Sequence, residues 1–135
     1  MIDEHAAVVL ALLDADNAAP PLNVHDGKVP NGTDPSVSPY VLVYFDSNDP
    51  EDDFEARPYV FVLTATCHCV GASAQAARMV ADRVRTALYN VTPTVSGRSC
   101  FQIEREPGMP PQRDETTGST VMDQIDTYVL ASIPG

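Results

Sequence analysis

YVFVLTATCHCVGASAQAARMVADRVRTALYN, residues 59–90, is the stretch whose reading decides the fold. Its first part, Tyr59 to about Val70, is rich in β-branched and aromatic residues and reads as a strand. From Thr64 onward the pattern alternates. Thr64, Thr66 and His68 take one face, and Ala65, Cys67 and Cys69 take the other. The period then changes from two to 3.6. Ala76, Ala77, Val80, Ala81, Val84 and Leu88 form one stripe of a helix over 72–89, with Arg78, Asp82 and Arg85 largely opposite. Gly71 and Ser73 are start signals, and Asn90 and Pro93 end it. A strand that feeds a helix with an apolar stripe is a layer pair, so sheet and helix share one core.

Working outward, Tyr40 to Phe45 is apolar or aromatic at every position and reads as a strand buried on both faces. Leu22 to His25 suits a short strand. Ahead of it, Ala6, Val9, Leu10 and Leu13 mark a helix over Asp3 to Leu13, with acids in its first turn and Asn17-Ala18-Ala19-Pro20-Pro21 as its stop. On the C-terminal side, Phe101 to Glu106 reads as a strand with Phe101, Ile103 and Arg105 on one face. Pro107 to Gly118 reads as a polar loop, and Val121 to Ile133 as the last strand. In that strand Val121, Asp123, Ile125, Thr127, Val129 and Ala131 share one face. Met122, Gln124, Asp126, Tyr128 and Leu130 share the other. The expected fold is a single α+β domain over residues 1–135, a mainly antiparallel sheet with two helices on one face. The long loops at 26–39, 46–57 and 107–118 suggest contact surfaces.

Composition removes several functions. Eight Lys+Arg against 19 Asp+Glu leave a net charge of −11, which repels nucleic acid and anionic membranes. The acidic N-terminus lacks the basic start of a secretory signal, and no apolar run reaches a membrane span. A cytoplasmic site of synthesis follows. The three cysteines, Cys67, Cys69 and Cys100, are expected as free thiols. Without secretion, Asn31-Gly32-Thr33 and Asn90-Val91-Thr92 are chance matches to the glycosylation pattern.

No constellation carries chemistry. Cys67-His68-Cys69 is one pair without a matching second pair, and closed zinc sites want four ligands. No local signature joins a cysteine to His5, His25 or His68 as nucleophile and base. The acidic run Asp46 to Glu55 lacks the alternate-position spacing and central glycine of a calcium loop, and reads as a solvated loop. Arg83 and Arg85 read as surface charges. Gly71-Ala72-Ser73 lacks the glycines and lysine of a phosphate loop. The reading names no catalytic, cofactor-binding or metal residue and expects no enzyme activity.

The order of elements and several short phrases resemble a known family. The phrases are Val24-His25-Asp26-Gly27-Lys28-Val29-Pro30, Pro39-Tyr40-Val41-Leu42-Val43-Tyr44, Cys67-His68-Cys69-Val70-Gly71, Ser73-Ala74-Gln75-Ala76-Ala77-Arg78 and Pro110-Pro111-Gln112-Arg113-Asp114. Over nearly the whole chain they resemble the tail terminator (tail completion) proteins of long-tailed bacteriophages of actinobacteria. The resemblance implies a hexameric ring that caps the tail tube at its final length. Its partners would be the major tail tube protein and the head-completion or neck proteins. DNA would pass through the lumen without specific binding, and the protein would reside in the virion. The alternatives are another neck, head-closure or minor tail subunit, and, in a different class, a small-ligand-binding protein or enzyme.

Overall fold

A computed structural model describes residues 1–15, 22–31, 33–34, 38–47, 60–114 and 121–135. The elements run in the order α1 (Ile2–Asp14), β1 (Asn23–Asp26), β2 (Tyr40–Ser47), β3 (Phe61–Gly71), α2 (Ala74–Leu88), β4 (Arg98–Cys100), β5 (Glu104–Asp114) and β6 (Val121–Pro134). The strands form one mixed sheet in the order β1-β2-β3-β6-β4, with β5 also paired to β6. Every pairing is antiparallel except that of β1 with β2. A parallel neighbour cannot be joined by a tight turn, because the chain must travel back before it pairs. The chain makes that return between the end of β1 at Asp26 and the start of β2 at Tyr40.

Sheet and helices close on one core. Val41 and Val43 of β2, Leu63, Ala65, Cys67 and Cys69 of β3, and Tyr128 and Leu130 of β6 point to the same side. Val9 and Leu13 of α1, and Val80, Ala81, Val84 and Leu88 of α2, pack onto them. The α+β reading with both helices on one face therefore holds. Helix α2 starts where its chemistry says. The Ser73 hydroxyl accepts from the Ala76 amide at 3.1 Å, and Asn90, at φ 63°, turns the chain away after Tyr89. Gly71 is required by close approach: a Cβ there would lie 2.6 Å from the Ala76 Cβ, inside the turn that folds α2 back over β3.

Three expectations need correction. Strand β2 alternates rather than burying both faces: Val41 and Val43 are buried while Tyr44 is 47% exposed. No helix among the described residues covers that second side. The segment Phe101 to Glu106 is not one strand. Residues 101–103 leave the ladder between β4 and β5, although the Phe101 amide still donates to the Ala131 carbonyl at 2.9 Å. The largest correction concerns residues 107–114, which are strand and not loop. Strand β5 continues through Pro107, Gly108, Pro110 and Pro111 by inserting extra residues. Between Glu106↔Thr127 and Met109↔Ile125 it uses one residue more than β6. It does so again before Gln112↔Asp123. Proline gives no ladder donor, so it survives in a strand at an edge or a bulge, and β5 supplies both. In α1, His5 is buried beside Val9 and Leu13, whereas Ala6 and Leu10 are only half-buried.

Candidate functional site

Strand β3 sorts its chemistry by alternation. Cys67 and Cys69 point into the core and are fully buried. Burial raises both thiols, Cys67 to about 12, with the Asp126 charge acting the same way. Thiols held protonated are neither nucleophiles nor ready metal ligands, so these two behave as small apolar side chains. His68 points to the opposite side of the sheet, where its Nδ1 donates to Asp123 Oδ2 at 2.9 Å. That bond raises the imidazole. Partial burial works against it, and the Asp123 charge adds to it. Tyr44 meets the His68 ring edge-on at 5.5 Å. The Cys-His-Cys phrase is thus split between two environments by the strand itself.

The other singled-out residues do not gather. His25 lies on β1 with Tyr40 edge-on at 5.5 Å, Cys100 sits on β4, and all three cysteines are free. Among the described residues, no group of three or more His, Cys, Asp or Glu is placed to hold a metal ion. Residues 48–55 of the acidic run, Gly32 of the Asn31 triplet and the stop signal at 17–21 lie outside the described residues. Arg85 lies over the Tyr89 ring at 5.2 Å on the outside of α2.

Two polar groups inside the core were not foreseen. Asp126 stands on the core side of β6 at 2% exposure, directly across from Cys67. Arg105 of β5 reaches it through Nη2 at 2.8 Å, and Gln124 Nε2 donates to its other oxygen at 3.3 Å. Gly108 leaves room for this pair, because a Cβ there would collide with the Ile125 carbonyl and with Asp126 Oδ1. The second group joins helix to sheet. His5 Nδ1 donates to the Met1 carbonyl at 2.8 Å, so that nitrogen carries the proton. Its Nε2 lies 2.8 Å from the Ser132 hydroxyl, which accepts from Arg98 Nε at 3.1 Å. The signal for Asp126 was present in the sequence: an acid on the apolar side of the last strand needs a buried partner. The partner itself, Arg105, lies 21 residues away in sequence, and the register of β5 on β6 brings it there.

The side of the sheet facing away from the helices can be mapped by register. One row runs Asp46, Thr64, Val129, Glu104 from β2 to β5. The next runs Tyr44, Thr66, Thr127, Glu106, and the next Leu42, His68, Ile125, Met109. A last row ends in Asp123 and Gln112. Tyr44 and Met109 are each 47% exposed. These rows hold four acids, and no lysine or arginine. The surface is therefore acidic, with Thr64, Thr66 and Thr127 on its two central strands and the exposed Tyr44 and Met109 on the strands that flank them.

No family model matches the chain, and no curated protein matches it. Solved structures do. A chain from the "Virion of native gene transfer agent (GTA) particle" is similar over 96% of this chain and 93% of that one, with a TM-score of 0.70 and 21% identity. A second solved structure is similar over 98% and 94%, with a TM-score of 0.63 and 16% identity. The likeness is one of fold, and it spans nearly the whole chain in both cases.

Proposed function

We propose that this protein is a structural subunit of a phage-like virion, and that within it the chain acts as the tail terminator. In this reading about six copies form a ring that caps the tail tube, stops its growth and offers a surface to the head-completion proteins. Residues 1–135 serve as one domain, located at the tail or neck of the particle. DNA passes through the ring without specific contacts, in keeping with the net charge of −11.

The observation that carries the reading is the end-to-end likeness to a virion chain of a gene transfer agent particle. The phrases shared with tail terminators support the finer assignment. The inert thiols and the acidic, half-exposed sheet surface support a role through contacts rather than chemistry. The test is genetic and visual. Particles produced without this protein should carry tails longer than normal and heads that fail to join them. Unjoined heads with tails of normal length would move the assignment to another neck subunit. Normal, joined particles would refute it.

A further inference from the structure

The molecule carries opposite charge on its two outer surfaces. Of the chain's eight Lys+Arg, three lie on α2, where the sole acid is Asp82. Seven residues separate Arg78 from Arg85, two helical turns, so both stand on the same exposed stripe with Tyr89. Met79, 59% exposed, flanks that stripe. Asp82 lies on that stripe between the two arginines, and Arg83, half-buried, lies beyond Met79. The far side of the sheet is the reverse: Asp46, Glu104, Glu106 and Asp123 surround Leu42, Tyr44, Ile125 and Met109. Among the described residues of that side, His25 and His68 are the groups that can gain positive charge.

We propose that these two surfaces bind each other between copies: the exposed face of α2 in one subunit docks across the open side of the sheet in the next. The occupant is a second copy of this chain, and the argument is complementarity of charge and shape. The stripe from Arg78 to Arg85 is about 10 Å long at 1.5 Å per residue. On the sheet, Asp46 and Glu104 are three strand spacings apart, about 14 Å, and Glu104 and Glu106 are about 7 Å apart along β5. A helix about 10 Å wide fits between those acids, over Thr64, Thr66, Thr127 and Val129, with the exposed Tyr44 and Met109 at its two flanks. Unlike patches meeting in this way make a heterologous contact, the kind from which rings and open filaments are built. The inference names the surfaces of the ring proposed above and rests on that reading for its setting only.

Two double variants test it in the full chain. Arg78→Glu with Arg85→Glu makes both surfaces acidic. Glu104→Lys with Glu106→Lys makes the β5 border of the sheet surface basic, like the helix that would meet it. All four sites are exposed, and unchanged melting curves verify folding. Sedimentation at low ionic strength and high concentration should show wild-type association that salt weakens. Each double variant alone should associate at least about tenfold more weakly, because like charges then meet. An equimolar mixture should assemble again, since each variant's helix now suits the other's sheet. Wild-type-like association of either variant alone, a mixture that stays monomeric, or a wild type that is monomeric throughout would each overturn the proposal. None of these results depends on tail length, so the failure of the terminator reading would be seen separately.

Discussion

Strand β3 with helix α2, and strands β4 and β5 on β6, are built by different means. In the first unit each side chain is placed by its neighbours in sequence. Alternation puts Cys67 and Cys69 inward and His68 outward, and the 3.6 period lays Val80, Val84 and Leu88 on the core. In the second unit the local pattern misleads. Pro107, Gly108, Pro110 and Pro111 spell a loop, yet they lie in an edge strand that keeps to β6 by inserting residues. What pins this edge is the ion pair of the buried Asp126 with the partly exposed Arg105, under a glycine that lets the strands meet. The lesson is that a periodic segment carries its own instructions, whereas a bulged edge takes its shape from the strand beside it.

Substitutions can break or sharpen this contrast. The largest effect is expected in the legible half. Val84→Asp places an unpaired charge in the fully buried contact of α2 with the sheet and should remove more than about 4 kcal/mol, enough to unfold most of the protein. Circular dichroism against temperature reads this directly, and a melt like the wild type would show that the stripe does not hold α2 down. Next comes the edge. Arg105→Met leaves the Asp126 carboxylate buried without its cation, at a cost of about 3–5 kcal/mol. Urea unfolding should show it, and the double variant Arg105→Met with Asp126→Leu should recover most of the loss. If the single variant is neutral, the ion pair does not pin β5.

Smaller effects sharpen the picture. Ser73→Ala removes the hydroxyl that caps α2 and should cost about 1 kcal/mol, since the helix remains packed. The weakest expected effect belongs to His68. Its folded value is raised by Asp123, so its contribution is complete below the ordinary value of about 6.5 and fades as pH rises through the folded value. Both side chains are partly in water, so the change amounts to a few tenths of a kcal/mol. Stability measured between about pH 6 and 8 should fall slightly in the wild type, and His68→Gln should remove that part of the slope. A slope unchanged by the substitution would assign it to other groups.

Much of the fold was legible because its signals are local. The stripe on α2, the Ser73 cap, the Asn90 stop and the two faces of β3 and β6 each follow from residues within a few places of one another. The parallel pairing of β1 was not legible, since Asn23 to Asp26 say nothing of the direction in which a neighbour runs. The open side of β2 was misread for a related reason. Leu42 and Tyr44 are apolar, and periodicity cannot tell an apolar residue that meets a helix from one left facing outward.

The sequence by itself determined the elements that have a repeat of their own: two helices, the central strands, and which residues of each share a side. It also determined the acidity, which depends on composition alone. Only the tertiary structure decided what depends on residues far apart along the chain. It carried β5 through its prolines by the register of β6, and brought Arg105 to Asp126 and Ser132 to His5. It also set the basic outside of α2 against the acidic open side of the sheet. Such contacts are chosen by the global packing of one layer on another. No window of sequence contains both partners, so no local pattern could have announced them.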